Sequence, residues 1–206
     1  MRKRAEDVEA TRRRITEAAV ELHTSVGPAH TTISALAEKA GVTRLTVYRH
    51  FPDAESLFRA CSEHWFSAHP PPDAARWRDI VDPRERIVCA VREQYEWYER
   101  NGDDLLPLRR DEGAAPSSIV EEVRAVERQR FDTLVQGVEL PASDRRLVAA
   151  VAAHVLDFWT WHSLVVRQSL TTDEAAESAV RFLTACLDAA TTAPRSTRSR
   201  RHRLRK

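Results

Sequence analysis

Residues 40–51 read AGVTRLTVYRHF, and several side chains in this run carry groups suited to contact outside the chain. The Arg44 guanidinium is a fork of donors that matches the paired acceptors of a guanine edge in a major groove. Thr46 can bond a base edge or a phosphate, and Leu45 can touch a thymine methyl. Tyr48 and His50 can each reach a phosphate oxygen, a contact that fixes register without reading sequence. Val47 and Phe51, four residues apart, are inward anchors at helical spacing. That leaves Arg44, Leu45, Thr46, Tyr48, Arg49 and His50 at the end of the helix or on its outer sides. The bland alternative is a solvated helical corner with scattered polar groups.

Other constellations carry less chemistry. His154, Asp157 and His162 resemble metal ligands, but no second cluster accompanies them, and zinc sites need a fuller donor set. They read better as core or interface groups, so no metal is expected. Cys61, Cys89 and Cys186 are odd in number and far apart, which suits buried reduced thiols. No phosphate-cradling glycine loop, nucleophile elbow or paired-carboxylate motif appears. An enzyme is not expected, nor a cofactor. All five tryptophans lie in residues 61–190, and Trp65, Trp97, Tyr98, Phe131, Phe158 and Trp161 are candidate walls for a small-molecule pocket. Arg109 is a candidate partner there for an anionic ligand. Each aromatic can equally fill a core or a subunit seam.

The elements that must position these groups are helical. Glycine is scarce at 5 of 206 residues, alternating strand patterns are absent, and apolar residues recur at helical spacing, so an all-α protein of about nine helices is expected. A first helix runs from about Ala5 to Ser25, with Gly27 and Pro28 breaking it. Thr31 or Thr32 can cap a second, since a side-chain oxygen satisfies the unpaired first amides. Gly41 ends that helix, because glycine accepts the left-handed exit, and Thr43 caps a third of about seven residues. Long helix, short helix, glycine turn, short helix is a helix-turn-helix pattern. Asp53 caps a fourth, reaching towards Phe66.

HPPPDAARW at 69–77 interrupts the chain, because consecutive prolines cannot continue a helix. Further helices are expected at Pro83–Arg100, Ser118–Gln136, Asp144–Gln168 and Asp173–Ala190, with residues 101–117 broken. The helix over 144–168 is apolar on two sides and needs two partners. Together with the last helix it suits a four-helix seam between two subunits, and Val155, Trp159, His162, Val166, Phe182 and Cys186 are the candidate interface residues.

Charge separates along the chain. Residues 1–60 hold ten basic and eight acidic groups, a net +2. Residues 61–194 hold 15 against 23, a net −8, and 195–206 hold seven basic groups and no acidic one. This suggests different partners for different parts. The division expected is a DNA-binding domain at 1–60, a ligand-binding and dimerisation domain at 61–192, and a disordered basic tail at 193–206 that attracts phosphates. Charges interrupt every apolar run, so no membrane span is expected. The basic start lacks a signal peptide's apolar stretch, and a cytoplasmic location follows as the expectation.

The segment TTISALAEKAGVTRLTVYRHFPDAESLF, residues 31–58, closely resembles the DNA-binding segment of the TetR family of bacterial transcriptional regulators. Ala40, Gly41, Val42, Thr43, Thr46, Val47, Tyr48, His50, Phe51, Glu55, Leu57 and Phe58 fill the family's pattern. The resemblance covers residues 5–60; beyond them only the helical plan and length are similar. Thr32, Thr43, Arg44, Leu45, Thr46, Tyr48, Arg49 and His50 are thereby the candidate DNA contacts. Ala54 stands where the family usually has a phosphate-contacting lysine, and Leu45 where a small residue is common. The resemblance implies a homodimer on a near-palindromic double-stranded operator, acting as a repressor that a small-molecule effector loosens; the alternative is a constitutive DNA-binding regulator or chromosome-associated protein.

Overall fold

A computed structural model describes residues 2–192, and the basic tail expected at 193–206 lies outside the described residues. No strand occurs among those described; ten α-helices do. They are α1 (Arg2–Ser25), α2 (Ile33–Lys39), α3 (Arg44–His50), α4 (Ala54–Ala68), α5 (Ala74–Asp79), α6 (Pro83–Arg110), α7 (Ser117–Asp132), α8 (Ala142–Val155), α9 (Phe158–His162) and α10 (Thr172–Thr192). No helix among the described residues is long and apolar enough to cross a membrane.

The helices divide between two compact units. One comprises the chain up to Pro72 with Glu96–Gln129, the other Asp73–Tyr95 with the chain from Arg130 onward. Helix α6 contributes a half to each, and the boundary expected at 60/61 falls inside α4.

In the first unit α1 packs on α4 and α2, and α2 on α3. Ile15, Ala18 and Ala19 of α1 meet Leu36 and Ala37 of α2, Val47 of α3, Phe51, and Leu57 and Cys61 of α4 in one buried cluster. Helices of seven residues are unstable alone, so this shared core holds α2 and α3 in place. The first unit also contains a correction. The sequence suggests a break after Arg100, yet α6 continues through Gly102 and Pro107 to Arg110. Proline inside a helix costs about 3 kcal/mol; here Pro107 itself, Trp97, Tyr98 and Leu105 are all buried, and that packing offsets the lost amide.

In the second unit α8 packs on α10. The prolines at 70–72 do end α4's run, but Asp73 then caps α5, its carboxylate accepting from the Ala75 amide at 2.9 Å. Trp77 of α5 is fully buried and donates its indole N–H to Glu93 at 2.7 Å. The helix expected over 144–168 is interrupted. It stops at Val155, Asp157 caps α9 by accepting from the Trp159 amide at 2.8 Å, and the Thr160 hydroxyl donates to the His154 carbonyl at 2.6 Å. A π-helical turn follows at Ser163–Arg167. The two apolar stripes traced along one continuous helix therefore do not persist across residue 156.

Candidate nucleic-acid interface

Helix α3 is built to be presented. Thr43 caps it, its hydroxyl accepting from the Thr46 amide at 3.2 Å, and Thr32 caps α2 by accepting from Ala35 at 3.1 Å. Gly41, at φ +64°, turns the chain between them, a left-handed conformation that glycine adopts without strain. Val47 points into the core with no exposed surface. The remaining α3 residues then face outward: Leu45 is 78% exposed, Tyr48 47% exposed, and Arg44 and Arg49 are exposed as well. A leucine this exposed has no packing role within the unit.

The polar groups are not equally available. The Thr43 and Thr46 hydroxyls bond each other at 2.9 Å, so each has a structural task beside any outward contact. His50 is half-buried, and its pKa is lowered from the usual histidine value by burial first and then by the cations of Arg49 and Arg12. The neutral ring offers one N–H donor. Arg12 of α1 braces the end of α3, donating to the His50 carbonyl at 2.7 Å while its guanidinium lies 4.1 Å from the Phe51 ring centre. Sequence reasoning missed Arg12, which sits on α1 and reaches α3 only through the fold.

The first unit also holds an apolar cavity of about 120 Å³, open on one side, against α1, α4, the end of α6 and α7. Of the residues expected to wall a pocket, Trp65 and Arg109 line it. Trp97 and Tyr98 stand behind that wall: Trp97 meets Trp65 edge-on at 5.8 Å and Tyr98 at 5.5 Å. Phe131, Phe158 and Trp161 are buried in the second unit and do not line it. The lining residues His23, Phe58, Phe66, Leu108 and Val120 were not anticipated. Phe58 and Phe66 were readable as an eight-residue spacing on α4, whereas the α6 and α7 members depended on the helix running past Pro107.

Comparison with known proteins agrees with this geometry. Residues 15–61, which hold the end of α1, all of α2 and α3 and the first half of α4, match the model described as bacterial regulatory proteins, tetR family. This segment of the chain is similar to the DNA-binding part of that family. A stretch of 50 residues is 48% identical to the HTH-type transcriptional regulator SrpR of Pseudomonas putida, a match covering 24% of each chain. The fold is similar to that of AibR in complex with isovaleryl coenzyme A and operator DNA, at TM-score 0.62 and 18% identity over 84% of this chain and 97% of that one. It is similar too to a TetR-like transcriptional regulator from Rhodococcus sp. RHA1, at 0.58 and 19% over 86% and 96%. FadR from Bacillus subtilis in complex with stearoyl-CoA gives 0.53 and 17% over 88% and 98%.

The second unit carries the residues expected at a subunit seam. Trp159, Val166 and Phe182 are exposed, and His162 and Cys186 partly so. Val155 is not at that surface: it is buried, and its carbonyl accepts the Tyr95 hydroxyl at 2.8 Å. Burial, followed by the Asp157 charge, raises the Tyr95 pKa and keeps it a donor. His154 is exposed and the Asp157 carboxylate is occupied by its cap, and among the described residues no three His, Cys, Asp or Glu side chains gather as a metal site.

Proposed function

We propose that this chain is a TetR-type DNA-binding transcriptional regulator that occupies a palindromic operator as a homodimer, represses there, and is released by a small molecule. The observation that carries the reading is the outward face of α3, where Arg44, Leu45, Tyr48 and Arg49 are exposed on a capped helix over a buried Val47. Arg44 and Thr46 read bases, Leu45 meets a thymine methyl, and Thr32, Thr43, Tyr48, Arg49 and His50 take phosphates. Paired copies of α3 would enter successive major grooves about 34 Å apart. Effector release draws support from the cavity against α4, the helix that follows α3. A second reading, regulation without an effector, draws on the seven basic residues of 195–206, which add salt-sensitive attraction to any duplex.

Selection from a random duplex pool tests the assignment. The parent is expected to enrich a motif of two-fold symmetry. Arg44→Ala should bind it about 10- to 100-fold less tightly, the value of one bidentate base contact. Equal enrichment by both proteins would remove α3 as the reader.

A further inference from the structure

We propose that the cavity lined by α1, α4, α6 and α7 is the effector site, and that it takes a compact, uncharged, single-ring aromatic molecule and rejects anionic acyl thioesters. This rests on the effector-release reading above. Three observations carry it.

The first is size. The cavity holds about 120 Å³, close to the roughly 150 Å³ of an apolar cavity that stays dry and binds benzene. The space inside the mouth holds one ring and no nucleotide. The second is the wall. His23 stacks on Phe58 at 4.8 Å, Trp65 meets Phe66 edge-on at 5.1 Å, and Leu108 and Val120 supply aliphatic surface. Flat rings flanked by aliphatic groups suit offset and edge contacts with another ring.

The third is charge. Two ionic side chains reach the lining, Arg109 and Glu112, and each is already matched. Arg109 pairs with Glu127, and Glu112 receives two bonds from Arg124, at 3.1 and 2.7 Å. Recruiting Arg109 to an anion would leave Glu127, largely removed from water, without its partner. Two polar groups of the wall are also engaged. The Trp65 indole donates to Asp104 at 3.0 Å and the Thr24 hydroxyl to Val20 at 3.0 Å. Burial holds His23 uncharged down to about 4 and pushes the Cys61 thiol up to about 12, so neither contributes a charge at neutral pH.

The position gives the site leverage. The same α4 that walls it supplies Leu57 and Cys61 to the core on which α3 rests, so a molecule seated there bears on the reading helix through one layer of side chains.

The test uses the full chain with the operator recovered by the selection above. Melting is followed with toluene and, separately, with isovaleryl-coenzyme A, while operator binding is read by fluorescence anisotropy in parallel samples. Toluene at saturation is expected to raise Tm by about 5 °C and to release the duplex; the thioester should do neither. Val120→Trp, which fills the space, should abolish the toluene shift, and if that variant fails to fold, Val123→Phe should reduce it. A shift that survives in a folded filling variant, a thioester shift as large as that of toluene, or no toluene shift would overturn the assignment. Toluene binding without release would overturn effector regulation and leave the cavity assignment standing. Release by the thioester alone would do the reverse.

Discussion

His23 shows what one residue can impose on the first unit. It is 4% exposed, and burial lowers its pKa from 6.5 to about 4. In the unfolded chain the ring takes a proton near pH 6.5, whereas in the folded chain it resists until about 4. The unfolded state therefore binds more protons across that window, and stability falls as pH drops through it. By pH 5 this group should have cost about 2 kcal/mol relative to pH 7. His50 and His162 are also shifted downward, so the clean measurement is a difference. Denaturant melts of the parent and of His23→Leu at pH 7 and pH 5 should show the parent losing about 2 kcal/mol more. Equal losses would mean that His23 is reached by water in the native state. The residue was visible in the sequence only as one position of α1; its burial depends on Phe58 arriving from α4.

At the scale of the element, the short helix α3 raises a question that capping can answer. Thr43 is both a candidate phosphate contact and the cap of α3, and the two roles respond differently to substitution. Thr43→Ala should cost about 1 kcal/mol of stability through the lost cap. Thr43→Asp keeps a capping oxygen, and its negative charge suits a helix N-terminus, so stability should return to near the parent value. The same charge repels a phosphate, so operator affinity should fall at least 10-fold. Melting and anisotropy on both variants check this; if the Asp variant binds as well as the parent, Thr43 does not approach the backbone of the duplex. Elements such as α3 were legible in the sequence because their determinants are local. Thr43, Val47 and Gly41 lie within seven positions of one another, and the expected and observed helix coincide. The break at Leu156–Asp157 was not legible, because an apolar run of Val, Phe and Trp continues through it and what ends α8 is a cap plus a tertiary bond from Tyr95. Helix α6 failed in the opposite sense: Asn101, Gly102 and Pro107 read as a break, and burial of Trp97, Tyr98 and Leu105 carried the helix past them.

For the whole molecule the open quantity is the number of copies that act together. The segment 61–194 carries −8 and is repelled by DNA, while 1–60 carries only +2, so one copy offers weak electrostatic attraction unless the tail adds to it. Two linked copies change this, because the second half-site is then met at an effective concentration in the millimolar range. The second unit has the surface such a link needs. Phe182 of α10 is 55% exposed and Trp159 of α9 40% exposed, large apolar groups that a lone chain would leave in water. Phe182→Glu places a charge there while leaving the buried row Ala175, Ala179 and Leu183 of α10 untouched. Light scattering should then report a monomer with unchanged helical circular dichroism, and operator affinity should fall by about 10² or more as the linked second contact is lost. Val81→Glu, at a valine 90% exposed and outside the candidate seam, is the control and should remain a dimer. Val155→Ala should behave differently from both: its side chain is buried, so the variant should melt earlier by a core-cavity cost of about 1–3 kcal/mol without dissociating at concentrations where it is folded. A Phe182→Glu protein that stays dimeric would move the seam to another face of the second unit, and one that turns monomeric yet binds the full operator undiminished would show that the two half-sites are read independently.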